Sequence, residues 1–381
     1  MYKAALSCIR ACYSEWDHIP LHAPVLGEAE KISVMAMLDS GFVSSVGEDV
    51  SNFEQELCRY TGIRYAVAVV NGTAALELSL LVSGVKPNDE VITQPLSFIA
   101  TANAIQHCGA TPVFTDIDAA SLSLSPLALE HWLENNTQAS AQGRVNINTG
   151  RRVRACIPMH TFGHPAQMSE LVDICQHFGI ILIEDAAESL GSWIGKRHSG
   201  SFGCCAAVSF NGNKIITAGG GGALLTNDKQ LALRARHLST TAKINHSWYS
   251  EHDEVGFNWR MPNINAALVC AQLTRLPEFL RQKRALAKHY EQFFAGTVFD
   301  FIREPDYASS NYWLNTLRCQ NKQQRDGFLK ASAEENIGCR PPWQLLHQSL
   351  PYLKSPRGDL SVAESEADLL VNIPSSAGAT L

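Results

Sequence analysis

From Tyr65 to Thr226 the chain alternates short apolar runs with helical patterns, and this alternation restricts the possible folds more than any other feature. YAVAVV (65–70) is followed by NGTAALELSLLVSG, EVITQP (90–95) by FIATANAIQHCG, and TPVFTDI (111–117) by a helical pattern around 126–133. ACIPMH (155–160), MSELVDICQHFG and IILIEDA (180–186) continue the series, and AAVSF (206–210) and GALLT (222–226) complete the strands. Strands separated by helix-length segments are joined by crossovers. A largely parallel sheet covered by helices on both faces is therefore expected. The polar stretch 134–155 reads as an exposed loop or hairpin, with Arg144, Arg151, Arg152 and Arg154 as surface charge rather than phosphate ligands.

The flanks differ. After an irregular start, helical patterns cover 28–41 and 52–62. From about Pro262 a long helical pattern, interrupted at Pro277, leads into short mixed elements. A large domain over 1–254, including the N-terminal segment, and a smaller α+β domain over 255–381 are expected. A chain of 381 residues is long enough for two such lobes. The net charge of −6 argues against nucleic acid as the main partner. Eleven cysteines without a CxxC pair suggest neither a disulfide framework nor a zinc ribbon. Arg10 breaks any signal-like apolar core, and no apolar run is long enough to span a membrane. The expectation is a soluble cytoplasmic protein.

In open parallel sheets, ligands sit beyond the carboxyl ends of the strands. Asn71, Gly72 and Thr73 follow one such end and open a helix, which suits a phosphate or ordinary capping. Glu184 and Asp185 end another strand. A carboxylate there could bind metal, act as a base, pair with a cationic ring nitrogen, or cap the next helix. Lys214 follows AAVSF and precedes four glycines, Gly219 to Gly222. A P-loop needs its glycines before the lysine and Ser or Thr directly after it, so the Walker reading fails. An exposed loop lysine and a Schiff-base lysine remain. His160 and His164 have zinc-like spacing only on a helix, which Gly163 and Pro165 disfavour.

The order of these pieces resembles the DegT-type family of pyridoxal-phosphate sugar aminotransferases. VVNGTAALELSL, QPLSFIATANAI, PMHTFGHPAQM, IEDAAESLGS, SFNGNKIITAGGGGALLT and VGFNWRMPNINAALVCAQL carry the likeness over nearly the whole chain. The resemblance implies fold type I, the aspartate aminotransferase-like α/β fold, and pyridoxal 5'-phosphate as cofactor. By matching position, Lys214 is the Schiff-base lysine and Asp185 the partner of the pyridine nitrogen. Gly72, Thr73 and Ser209 hold the phosphate, Phe98 stacks on the ring, and Glu188 lies on the cofactor side. Asn258 reaches the neighbouring subunit's cofactor, which implies a homodimer. His160, Asn311 and Tyr312 are expected to meet substrate.

The implied reaction moves an amino group from glutamate to a nucleotide-linked 4-keto-6-deoxy sugar. ESLGSWIGKRHSG, HTFGHP and SSNYWLN resemble the branch acting on UDP-2-acetamido-2,6-dideoxy-4-hexuloses in bacillosamine- or legionaminic-type pathways. A GDP- or dTDP-linked acceptor and a catalytically silent sensor on the same fold are the alternatives. Family dehydratases carry histidine where this chain has Lys214.

Overall fold

The computed structural model describes residues 2–380. Three helices open the chain: α1 (Tyr2–Cys12), α2 (Glu28–Ser40) and α3 (Glu48–Thr61). The alternating region forms one seven-stranded sheet. Its strands are β1 (Tyr65–Val69), β2 (Glu90–Thr93), β3 (Thr111–Phe114), β4 (Val153–Ile157), β5 (Ile181–Asp185), β6 (Cys205–Ser209) and β7 (Gly222–Thr226). The spatial order is β1-β7-β6-β5-β4-β2-β3. β7 is antiparallel to both neighbours, and all other pairings are parallel. That leaves the carboxyl ends of β1, β2, β4, β5 and β6 on a single edge.

The helices α4 (Gly72–Val82), α5 (Ile99–His107), α6 (Pro126–Asn136), α7 (Met168–Phe178) and α8 (Lys229–Ser239) fall within the sheet region. Strands buried on both faces explain their unbroken apolar runs. Val67, Val69 and Leu224 pack with Leu76, Leu78, Ile105 and Leu238 on one face. Val208 and Leu225 pack with Phe53 and Leu57 of α3 on the other. Each fully buried side chain of this size contributes about 1.5–3 kcal/mol. The polar stretch after α6 is a hairpin, Thr137–Ser140 paired with Gly143–Asn146. Its arginines anchor it to the surface: Arg152 pairs with Asp89 at 2.6 Å and Arg154 donates to the Ser83 carbonyl at 2.8 Å.

Two expectations need correction. The helix α9 (Asn263–Phe294) runs unbroken across Pro277. Its first half adds Val269, Leu273, Leu276 and Phe279 to the large-lobe core, and its second half adds Leu286, Tyr290 and Phe294 to the other lobe. Anchorage on both sides outweighs the roughly 3 kcal/mol cost of an interior proline. α9 therefore contributes side chains to both clusters. The start of the chain is helical rather than irregular. Leu6 and Ile9 of α1, with Tyr13 just after it, pack with Leu286, Tyr290, Phe328 and Val371. The second lobe is completed by α10 (Lys322–Glu334), α11 (Ser361–Leu369) and a three-stranded sheet, Asp300–Phe301, Asn315–Arg318 and Leu370–Ile373.

Candidate active site

At the shared carboxyl edge of the sheet lies a cavity of about 350 Å³. It brings together Gly72, Thr73, Phe98, Asp185, Glu188, Ser209 and Lys214, with Asn211, Asn213, Trp313 and Trp343 beside them. A wider cleft of about 600 Å³ between α2 and α3 contains no lysine.

One wall is built for an anion. Asn71 caps α4 by accepting from the Ala74 N–H at 2.8 Å, so the first amides of the helix point past Gly72 and Thr73. β6 delivers Ser209 directly against this turn. A Cβ on Gly72 would lie 2.9 Å from the Ser209 Cβ, so only glycine permits the approach. Gly222 has a matching role at the start of β7. A Cβ there would sit 2.5 Å from the Asn71 carbonyl and 2.7 Å from the Gly72 nitrogen. Gly219 and Gly221 have φ of +74° and +156°, a range that disfavours side chains. Nothing in the structure requires glycine at Gly220. Gly222→Ala is expected to displace the start of α4, costing about 1–3 kcal/mol by overpacking and weakening phosphate capture. Thermal melts of cofactor-free protein, with equilibrium titration by pyridoxal phosphate, measure the two effects.

The opposite end carries charge. Asp185 is 2 % exposed, at the end of β5. It accepts hydrogen bonds from the Thr101 hydroxyl at 2.7 Å and the Ala187 N–H at 3.2 Å. Both donors are neutral, and burial pushes its pKa above the usual carboxylate range. Such a carboxylate gains from a cation placed opposite it. Lys214 Nζ lies 3.2 Å from Glu188 Oε1 and 4.1 Å from the centre of the Trp313 ring. Glu188 also accepts from the Phe162 N–H at 3.0 Å. Burial raises the Glu188 pKa from 4.5 to about 7, with the Lys214 charge opposing the rise. This carboxyl group therefore titrates near neutral pH beside Lys214.

A lysine paired to one buried acid, a second buried acid and the turn at the start of α4 thus share one cavity. The model of the DegT/DnrJ/EryC1/StrS aminotransferase family matches residues 24–381. The chain belongs to this family. Its relatives include the GDP-perosamine synthase of Caulobacter vibrioides, 34% identical, with 96% of this chain and 95% of that protein covered. The spore coat polysaccharide biosynthesis protein SpsC of Bacillus subtilis is 35% identical, with coverage of 84% and 82%. The solved aminotransferase TlmJ from Streptoalloteichus hindustanus superposes with a TM-score of 0.85 at 29% identity, with coverage of 94% and 93%.

Members of the DegT/DnrJ/EryC1/StrS family are pyridoxal-phosphate-dependent aminotransferases, and this chain is one. Its own residues fit the cofactor. The Gly72–Ser209 cradle has room only where side chains are absent, and Asp185 has a raised pKa that a cationic ring nitrogen would relieve. Phe98, half exposed at the start of α5, lies at the cavity wall with its ring 6.4 Å from Trp343.

Not every residue expected at the site reaches it. His160 is fully buried beneath the edge, accepting from the Ala166 N–H at 3.1 Å while its other ring nitrogen lies 3.1 Å from Glu184. Glu184 in turn accepts from the Gly200, Phe202 and Gly203 amides, so the pair holds a loop rather than a ligand. Asn311 uses its whole amide internally, donating to the Glu188 and Leu190 carbonyls and accepting from the Trp313 N–H. It supports the Glu188 turn. Tyr312, at φ of +47°, turns into the small lobe, where its hydroxyl accepts from the Glu304 N–H and its ring stacks on Phe301. The next residue, Trp313, is the one at the cavity. Asn258 is exposed and does not line this protomer's cavity. Sequence reasoning missed Thr101, Trp313 and Trp343. Thr101 could have been found one helical turn beyond Phe98 in SFIATANAI.

Proposed function

We propose that the enzyme moves the amino group of glutamate onto a nucleotide-linked 4-keto-6-deoxy sugar, and that it works as a cytoplasmic homodimer. The observation that carries the transfer chemistry is the Lys214–Glu188 pair facing Asp185 within one cavity. The acceptor follows from the kinship with sugar enzymes. The motifs ESLGSWIGKRHSG and HTFGHP favour a UDP-2-acetamido-2,6-dideoxy-4-hexulose. The GDP-perosamine synthases of Caulobacter vibrioides and Escherichia coli O157:H7, 34% and 33% identical, favour a GDP-linked acceptor as the second reading. An amino-transfer assay with glutamate across UDP-, GDP- and dTDP-linked 4-keto sugars, read by mass spectrometry, separates them. Absence of an aminated product from every sugar would refute the proposal.

In this reading the cavity residues divide the work. Gly72, Thr73 and Ser209 would hold the cofactor phosphate, Phe98 would cover one ring face, and Asp185 would pair with the ring nitrogen. Bound there, pyridoxal phosphate supplies an electron sink for the amino-acid Cα–H bond. Lys214 moves the proton. To act as a base it must shed its own, and Glu188 Oε1 at 3.2 Å is the acceptor in place. Trp313 lies against the ammonium at 4.1 Å and restricts its swing.

Glu188 sets a pH dependence. Its folded pKa of about 7 exceeds the ordinary 4.5, so the folded state retains a proton that the unfolded state releases. Cofactor-free protein should therefore lose stability as pH rises from about 4.5 to about 7, and Glu188→Gln should remove that slope. The variant should also lose the limb of the activity profile that rises through pH about 7. Melts and rates across this range test both. An unchanged profile in Glu188→Gln would show that the carboxyl group does not serve Lys214.

The dimer rests on two features. α2 and the loop after it expose Ile32, Met35, Phe42 and Val46, an apolar surface suited to a second copy. Asn258 is exposed and lines no part of its own cavity, which leaves it free to serve a neighbour's site. Inactive Lys214→Ala and Asn258→Ala chains, mixed and re-associated, should recover about a quarter of native activity, because half the random dimers regain one intact site. No recovery, with mixed dimers demonstrated, would place Asn258 outside the neighbour's site.

A further inference from the structure

Away from the cavity, three metal-ligating side chains meet where α1 lies against the second half of α9. Cys8 and Cys12 stand one turn apart on α1, and His289 reaches them from α9. One ligand atom from each lies within 4.8 Å of the other two. The Cys8 sulfur is 3.6 Å from His289 Nε2. The cysteines are only 9 % and 1 % exposed, whereas the histidine reaches solvent. None of the three lines the aminotransferase cavity.

We propose that Cys8, Cys12 and His289 bind a thiophilic divalent cation of the zinc class, with its fourth position open to solvent beside His289. Tetrahedral zinc with bonds of about 2.3 Å to sulfur and about 2.0 Å to nitrogen needs an S···N separation of about 3.5 Å. The Cys8–His289 pair already has that spacing. Binding would expel two thiol protons to solvent, leaving a dication, two thiolates and a neutral imidazole. The sum is zero, so the lobe core would hold no net charge. Thiolate and imidazole ligands select zinc-like ions over magnesium or calcium. The cation would clamp α1 onto α9 and stabilise the small lobe by binding only the folded chain.

The test uses full-length, cofactor-loaded protein, reduced, stripped with chelator and titrated with Co²⁺ alone. Sulfur-to-cobalt charge-transfer absorption and tetrahedral visible bands are expected, saturating at about one equivalent per chain and bleached by Zn²⁺. Cys8→Ser should abolish them. His289→Ala, whose side chain is partly exposed, should keep the fold and amino-transfer activity while weakening Co²⁺ binding about tenfold or more. It decides the matter if the serine variant does not fold. Absence of the bands in the native protein, or bands of unchanged affinity in His289→Ala, would overturn the proposal. The 3.6 Å contact would then be only a thiol–imidazole hydrogen bond.

Discussion

Lys214→Ala is expected to lower amino transfer by about 10³–10⁴-fold or more, because in the proposed mechanism it removes both the covalent attachment point and the amine that moves the proton. The fold should survive. The side chain is 12 % exposed, and the partner it leaves behind, Glu188, already has a pKa of about 7. Without the ammonium that opposes the rise, burial drives Glu188 further toward its neutral form, so no buried charge is stranded. Lys214→Arg distinguishes chemistry from charge. It keeps a cation beside Glu188 and Trp313 but cannot give up its proton. Both variants should melt near the native temperature and be inactive. Turnover within tenfold of native in either would remove Lys214 from the mechanism.

Asp185→Asn is expected to have the next largest effect. The amide is nearly isosteric: its oxygen can still accept from the Ala187 N–H and its NH2 can donate to the Thr101 hydroxyl, so the end of β5 should keep its geometry. It cannot balance the charge of a protonated ring nitrogen. A loss of about 10²–10³-fold in kcat is expected, the scale for removing one preorganised charge or dipole from a reacting centre. Cofactor affinity should fall as well, while Glu188 keeps its pairing with Lys214. Asp185→Ala should be worse for stability, since each stranded donor costs about 1–3 kcal/mol. Steady-state rates with glutamate, and cofactor retention on desalting, separate the contributions. Native kcat in Asp185→Asn would contradict the assigned role.

Much of this site was legible because its residues follow strand ends, where a parallel sheet exposes its ligand groups. Gly72, Asp185 and the pair Ser209 and Lys214 belong to three different strand ends, and the alternation of strands and helices already places those ends on one edge. The glycine run needed coordinates. Gly222 is required by a contact with Asn71, about 150 residues earlier in sequence, which no local pattern encodes. Trp313 also needed geometry: it lines the cavity, whereas Tyr312 beside it, at positive φ, stacks on Phe301. The place of α1 depended on packing with residues almost 300 positions away. His160 looked exposed to substrate because it follows β4, yet Glu184 holds it beneath the edge.

The most direct test of the central claim is borohydride reduction of the purified protein, followed by peptide mapping. The expected result is a yellow protein that loses its colour on reduction and carries one pyridoxyl phosphate on Lys214. Reduction that leaves Lys214 unmodified, or fixes the cofactor to a different lysine, would contradict the assignment.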